Sequence, residues 1–395
     1  MNQKKQYLLI WPTYRKDWLH TFELLKADFN FTFIPGTFPQ EPNYASEYTC
    51  RYWSEFSSVF DVLEQTQPDG IIFMSIESGL SMALNAIAKK EGIKTIILQH
   101  GIFTNYKDYR NREKLWRKGS RAKETQVEQT QKGFSTLQFL KKSFSGINLF
   151  YIAQVALYTQ LQQRIGPYWV SKWLPLSIKK ADQYLCYSPY NATIHRETDR
   201  ISEKQIAYIG SPELMGYLQK EKDLIDASFY LHMDQALAEN SFGEETVSKQ
   251  AMIEFYLKLN SFAKRQNAKL YIKLHPESYA SDWLPQDDNI VYLKQIDNFN
   301  RYVQSALGCF GFYSTMVIPA VYWKPTILFH IQYSGLQEAL KSLVNLPILS
   351  FHDFHPDDID FGFECDRQKI KEYFIQPQGV KKNTLRNLLA AQEAV

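Results

Sequence analysis

One pattern constrains this chain more than any other. Short, continuous apolar runs, each closed by Gly, Pro or a polar residue, alternate with stretches of helical spacing. A strand that is apolar along its whole length must be covered on both faces, which is the situation of a parallel sheet whose crossovers carry helices. In the N-terminal half, residues 7–11, 31–34, 71–75, 95–98, 184–188 and 205–209 read as strands, and 18–29, 56–65, 80–90 and 191–198 as helices. The rhythm returns with strands at 228–233, 269–274, 289–293, 308–313 and 326–329 and helices at 245–265, 300–306 and 316–322. The tail, 367–374 and 381–394, reads as amphipathic helix. A chain of 395 residues suits two such α/β domains better than one core. The polar and acidic stretch 213–227 reads as the linker, giving domains at 1–220 and 221–395.

Residues 102–180 interrupt the alternation. From Lys107 to Lys123 there are eight basic residues and two acidic ones, around Trp116. Residues 134–173 follow as a mostly helical, apolar stretch with few charges. We read this region as an insert or lid in the N-terminal domain. Lys107, Arg110, Arg112, Arg117 and Arg121 are its candidates for meeting an anionic acceptor or a membrane surface, with 134–173 resting on lipid. The alternative is a solvated basic face over a packed helical insert.

Bulk properties exclude several classes. A net charge of +3 is too small to point to nucleic acid. Cys50, Cys186, Cys309 and Cys365 are widely spaced, without metal-ligand pairing, and read as buried, reduced thiols. The N-terminus lacks the apolar stretch and cleavage site of a secretory signal, and no window approaches the ~20 apolar residues of a membrane span. The expectation is a cytoplasmic protein, peripheral at most on the inner face of the plasma membrane.

Ligands of open parallel sheets bind beyond the carboxyl ends of the strands, so polar residues there are the candidates. Lys273-Leu274-His275-Pro276-Glu277 ends one strand; alternation puts Lys273 and His275 on one face, where an imidazole beside a cation and free amides is placed to hold phosphate. The same residues also fit a plain strand end. Ser314-Thr315 opens the helix after 308–313, either as a simple cap or as an anion site built from hydroxyls and amides. Gln99-His100-Gly101 follows 95–98, and Gly101 permits a turn that brings the imidazole over the sheet edge. Glu77, after 71–75, reads as a general base if burial raises its pKa, or as an acid favoured by the helix dipole. Asp287-Asp288 and Asp357-Asp358-Ile359-Asp360 do not stand at strand ends, so no metal is required.

These residues resemble bacterial surface-polysaccharide transferases of the GT-B fold. The similarity is to capsule-type sialyl- and Kdo-transferases, with the CDP-glycerol polyol-phosphate transferases close behind. The shared features are His275-Pro276 after a C-domain strand, the hydroxyl pair Ser314-Thr315, Gln99-His100-Gly101 and Gly210-Ser211-Pro212. The resemblance implies two Rossmann-like domains facing across a cleft, the helical insert lying in the first. It implies an inverting, metal-independent glycosyltransferase using a nucleotide sugar, with a CMP-linked acidic sugar favoured, and a glycan or lipid-linked glycan acceptor. Donor binding would fall to Gly210, Ser211, Lys273, His275, Pro276, Glu277, Ser314 and Thr315, and proton removal to Glu77 or His100. The acidic-acidic-Gly motif of such sialyltransferases is missing: Asp69-Gly70 precedes its strand, and Glu77-Ser78-Gly79 follows it. Polyol-phosphate transfer from a CDP-linked donor, a nucleotide-sugar 2-epimerase and a non-catalytic assembly module are the rivals.

Overall fold

The structure is a computed structural model; it describes residues 4–101, 134–145, 147–148, 150–239, 247–331 and 334–391. The chain divides into two compact units. The first takes in the described residues up to Gly101, those from 134 to Gly210, and those from Gly379; the second runs from Ser211 to Gln378.

The first unit holds a seven-stranded, wholly parallel sheet of β1 (Gln6–Ile10), β2 (Asn30–Phe33), β3 (Thr49–Cys50), β4 (Gly70–Phe73), β5 (Lys94–Leu98), β6 (Gln183–Cys186) and β7 (Ile206–Tyr208), in the order β3-β2-β1-β4-β5-β6-β7. Period-two alternation explains why its strands read as unbroken apolar runs. Leu8, Ile71, Phe73, Ile97 and Tyr184 pack into one core, while Tyr7, Leu9, Ile72, Ile96 and Leu185 pack into another. Gly70 is required by this packing, since a Cβ there would lie 2.8 Å from the ring of Tyr7.

The first core is covered by the helix Gly79–Lys90, capped by Ser78, and by the described part of the insert, helices Thr136–Phe144, Phe150–Ile165 and Pro167–Trp173. Phe139, Leu140, Phe144, Val155 and Tyr158 are buried there. Val155 comes so close that a Cβ on Gly79 would stand 2.9 Å from its Cγ1. Most of the apolar content of 134–173 is therefore spent on the protein's own core rather than offered to lipid; Leu137, Phe150, Leu157 and Trp173 remain exposed. A buried ion pair fastens the insert. The Lys179 ammonium donates to the Tyr158 hydroxyl at 2.9 Å and to the Ser171 hydroxyl, and lies 3.7 Å from Asp199 Oδ1.

The second unit repeats the plan with six parallel strands: β8 (Phe229–Met233), β9 (Lys269–Lys273), β10 (Ile290–Leu293), β11 (Cys309–Gly311), β12 (Thr326–His330) and β13 (Ile348–Ser350), in the order β10-β9-β8-β11-β12-β13. Its longest helix, Lys249–Arg265, starts on a Ser248 cap and buries Met252, Phe255, Tyr256, Leu259, Phe262 and Ala263, the i, i+3, i+4 stripe of an amphipathic helix. Each such side chain contributes roughly 1.5–3 kcal/mol on full burial.

Three features differ from the sequence reading. Residues 213–227 are not a free linker: the Gln219 carbonyl accepts from Asn300 and Gln304, the Glu221 amide donates to Gln304, and the Ile225 amide donates to Ser305. The units instead meet at Gly210/Ser211 and Gln378/Gly379. Both crossing glycines are left-handed (φ 73° and 82°), a conformation in which a side chain is strained. Finally, the tail is divided: 367–374 stays with the second unit, and the chain from Gly379 belongs with the first. Leu385 and Leu389 of the helix Thr384–Ala390 lie in the core around Tyr7 and Phe31, and the Tyr7 hydroxyl donates to the Leu389 carbonyl at 2.8 Å. Among the described residues no helix is long and apolar enough to cross a membrane.

Candidate functional site

Each strand order reverses direction once, between β1 and β4 in the first sheet and between β8 and β11 in the second. Crevices for ligands open beyond the strand ends at such reversals. In the second unit the segments beyond β8, β9 and β11 all carry polar residues, and the one beyond β8 is bonded to each of the other two.

Asp234, immediately after β8, is the organiser. It is 7% exposed. Its Oδ2 accepts from the Ser278 hydroxyl at 3.1 Å and from the His275 amide at 3.3 Å, and its Oδ1 accepts from the Tyr256 hydroxyl at 2.7 Å. Burial, and next the Asp234 charge, push the Tyr256 phenol well above its ordinary pKa, so it remains a donor. The next residue, Gln235, accepts from the Tyr313 amide at 3.3 Å. Two consecutive side chains at the reversal thus tie down the loop after β9 and the loop after β11.

His275 caps the short turn Pro276–Ser278: its Nδ1 accepts from the Glu277 amide at 3.3 Å. With Nδ1 accepting, the proton of the neutral imidazole is on Nε2, which leaves an N–H donor on a ring whose side chain is 40% exposed. The Glu277 carboxylate lies 3.5 Å from Nδ1. Lys273 is differently occupied. Its ammonium donates to the Leu274 carbonyl at 2.7 Å and the Tyr279 hydroxyl at 3.3 Å, so its charge is turned towards its own backbone and a phenol.

Ser314 and Thr315 stand one turn ahead of the helix Val317–Trp323, whose cap position is Met316. The Ser314 hydroxyl accepts from the Met316 amide at 3.3 Å, and the Thr315 carbonyl accepts from Ile318. The loop is brought close to the sheet by Gly311, where a Cβ would lie 2.8 Å from Val317 and 3.2 Å from Met233. Buried Gln337 fixes the neighbouring strand ends by donating to the Phe312 and Phe329 carbonyls at 3.0 and 2.8 Å. Asp234, Gln235 and Gln337 were not singled out in the sequence. Asp234-Gln235 carried a signal, being the polar pair that ends the apolar strand β8.

In the first unit the candidates are more dispersed. Gly101 is left-handed (φ 60°), and His100 lies edge-on to Trp11 and Trp18, ring centroids 5.8 and 5.3 Å away. Glu77 is partly buried just before the Ser78 cap, and its charge is felt by Tyr158 and Lys179 on the insert side. The described surroundings of Glu77 and His100 therefore belong to opposite faces of the sheet. Gly210 donates to the Tyr187 carbonyl at 3.0 Å, and the buried Ser211 hydroxyl caps the turn Pro212–Met215. Gly210 closes this part of the first unit, and Ser211 begins the second. A small recess lined by Thr13, Tyr14, Pro35, Phe38, Gln40 and Pro42 lies beyond β1 and β2 and holds none of the candidates. Lys107, Arg110, Arg112, Arg117 and Arg121 lie outside the described residues. Cys186 and Cys309 are buried, and burial pushes both thiols up to about 12. Among the described residues, no group of three or more His, Cys, Asp or Glu is placed to hold a metal ion.

Two parallel-sheet, Rossmann-like units of seven and six strands define the GT-B fold. No family model matches the chain, and no curated protein matches its sequence. Solved structures do match. The glycotransferase of kitacinnamycin aligns with a TM-score of 0.50 and 11% identity over 94% of this chain and 91% of that one. CalG4, the calicheamicin glycosyltransferase, aligns at 0.51 and 12% identity over 94% and 93%. The UDP-GlcNAc 2-epimerase from Methanocaldococcus jannaschii aligns at 0.49 and 11% identity over 98% and 100%. At these identities the likeness is one of fold.

Proposed function

We propose that the protein is a glycosyltransferase that takes a sugar from a nucleotide-activated donor, without a metal and with inversion, for a surface polysaccharide or related glycan. The observation that carries this reading is the pair of loops beyond β9 and β11, which carry His275, Ser314 and Thr315 and are each bonded to the end of β8, through Asp234 and Gln235, at the reversal of the second sheet. A leaving nucleotide needs donors aimed at its phosphate as the glycosidic bond breaks, and fixed N–H and O–H groups supply that stabilisation at little reorganisation cost. His275 Nε2–H and the hydroxyls of Ser314 and Thr315 are such groups. The acceptor is assigned to the first unit, where Glu77 or His100 removes the proton from its hydroxyl. A CMP-linked acidic sugar is favoured as donor by the resemblance of His275-Pro276 and Ser314-Thr315 to capsule-type transferases. By the same resemblance the acceptor is a glycan or lipid-linked glycan, and the basic residues Lys107, Arg110, Arg112, Arg117 and Arg121 are the candidates for contacting it or the inner membrane surface.

The test is a thermal-shift panel of CMP, CDP, UDP, GDP and dTDP on wild type and His275→Ala. A nucleotide at ~100 times its dissociation constant stabilises the fold by about 2.7 kcal/mol. One responding nucleotide, lost in His275→Ala, supports the donor site. A CDP preference turns the reading towards polyol-phosphate transfer, and silence across the panel overturns it.

A further inference from the structure

Buried polar side chains almost always find partners, and an orphaned one costs about 1–3 kcal/mol. Gln99 is 1% exposed, and neither its Oε1 nor its Nε2 has a hydrogen-bond partner. Among the described residues it is the one buried side-chain amide with both polar atoms unpaired. It stands at the carboxyl end of β5, where ligands of parallel sheets bind. A second orphan lies on the same face at the end of the adjacent strand. Asn191 is fully buried; its Oδ1 accepts from the Ser188 hydroxyl at 2.7 Å, while its Nδ2 has no partner.

The two side chains share one side of the sheet. Leu98 of β5 is level with Leu185 of β6, and the Gln99 amide continues the ladder by donating to the Leu185 carbonyl at 3.0 Å. Alternation then carries Gln99 to the face of Ile97 and Ser188 to the face of Cys186, and Ile97, Cys186 and Ala192 belong to one core. Ser188 caps the ten-residue helix Pro189–Thr198, of which Asn191 is the third residue.

From this geometry we infer that the carboxyl ends of β5 and β6 form a subsite for a neutral, polyhydroxylated ligand, held by Gln99 and Asn191. A primary amide side chain offers a donor and an acceptor side by side. That pair matches a vicinal diol, one hydroxyl accepting from Nε2–H while its neighbour donates to Oε1. Asn191 Nδ2–H supplies a further donor for a ring or hydroxyl oxygen. An anion does not suit the pair, because Oε1 turns lone pairs towards it. The two strand ends, residues 99–101 and 187–191, also contain no Lys or Arg. A sugar of the acceptor is the ligand of this chemistry, so the inference deepens the acceptor half of the reading above and rests on it.

The experiment uses the full chain and saturation-transfer NMR with methyl glycosides of glucose, galactose, mannose and N-acetylglucosamine, alongside the nucleotide panel. At least one glycoside should bind wild type. Gln99→Met, which keeps the shape without the amide, should weaken it about tenfold, the order expected for losing a hydrogen-bonded pair. Gln99→Leu is the second variant if Gln99→Met fails to fold. No glycoside binding to wild type, or equal binding to the folded variant, overturns the subsite and leaves an amide satisfied by buried water. The two ideas fail separately. Nucleotide binding without glycoside binding sinks this subsite alone, and amide-dependent glycoside binding without any nucleotide response sinks the transferase donor site.

Discussion

Replacing Asp234 tests whether one carboxylate positions the candidate donor site or merely stabilises the second unit. It accepts three bonds, from Tyr256 at 2.7 Å, Ser278 at 3.1 Å and the His275 amide at 3.3 Å. Asp234→Ala leaves two hydroxyls and one amide without an acceptor. At about 1–3 kcal/mol for each buried donor left unmade, and with the His275 loop free to reach water, the loss should be about 3 kcal/mol. Asp234→Asn keeps one carbonyl oxygen and turns an amide group towards a hydroxyl that can accept, so it should cost only about 1 kcal/mol. Tyr256→Phe separates the two roles. It removes the Oδ1 bond from the side away from His275, and should lower stability by about 1 kcal/mol with nucleotide affinity unchanged. Ser278→Ala should do the reverse, with a small stability loss and weaker binding. Urea denaturation reads the first quantity, and calorimetric titration with CMP at a temperature where every variant is folded reads the second. Positioning predicts that Asp234→Ala weakens CMP by about tenfold or more, equivalent to about 1.4 kcal/mol, with Asp234→Asn intermediate. If Asp234→Ala loses the stability but binds CMP within about twofold of wild type, the carboxylate only holds the fold together and the reasoning fails.

The remaining tests concern the scaffold. Lys179→Met or Asp199→Asn should cost about 3–5 kcal/mol, because each strands a buried charge, and a double replacement should recover part of it in denaturant titrations. Burial opposes charge on both groups, yet their mutual attraction wins: the Lys179 pKa is raised and the Asp199 pKa lowered. The pair's stabilisation should therefore hold across neutral pH, fading below about pH 4 as Asp199 takes up its proton and above about pH 10 as Lys179 gives its own up. His232 is fully buried among Phe255, Tyr256 and Phe312, and burial lowers its pKa to about 3. The unfolded chain then binds the extra proton between about pH 6.5 and pH 3, so stability should fall by roughly 1.4 kcal/mol per unit across that window. His232→Phe should flatten that part of the urea profile, and an unchanged slope would show that the imidazole is not buried neutral. Gly311→Ala should destabilise the second unit by about 1–3 kcal/mol through contact with Val317, read as a lowered urea midpoint.

The sheet strands were legible where they were buried on both faces, because β1, β4, β5, β8 and β12 are largely apolar runs, and β9 was legible from Leu270-Tyr271-Ile272 between two lysines. Two of the four edge strands, β7 and β10, were read as well, but β3 and β13 were not: they are two and three residues long, too short for periodicity to register. The stretch 18–29 shows why spacing reports burial before it reports conformation. Phe22, Leu25 and Phe29 do face the core, but the backbone is a 3₁₀ turn at Lys16–Leu19, one α-turn at His20–Glu23 and then turns. The helix Gly335–Val344 carried a readable signal that went unused: Ser334 as cap, Leu336, Leu340 and Val344 buried, and left-handed Asn345 as stop. The second part of the amphipathic tail was recognisable as a helix needing a partner, but an apolar stripe does not say which sheet it will cover. Only the packing of Leu385 and Leu389 beside Tyr7 and Phe31 assigns it to the first unit.

The candidate site divides in the same way. Strand-end logic found His275, Ser314 and Thr315 because each follows an apolar run and stands beside a residue that breaks or caps the backbone. It passed over Asp234 and Gln235, which follow a run just as apolar. Beside a strand end, a carboxylate could equally hold a ligand or hold the loops that would hold it, and sequence spacing gives both roles the same appearance. The partners decide: both Asp234 oxygens are engaged by Tyr256, Ser278 and the His275 amide, so this residue orders the loop. His275 keeps its Nε2–H for something else. Gln99 is the opposite case, a strand-end amide whose position resembles that of Gln235 but whose two polar atoms are unspent. A parallel sheet thus presents polar residues of two kinds at its carboxyl edge, those that finish the fold and those that the fold leaves unfinished. Ligand binding should be sought at the second kind, with the first kind setting how firmly they are held.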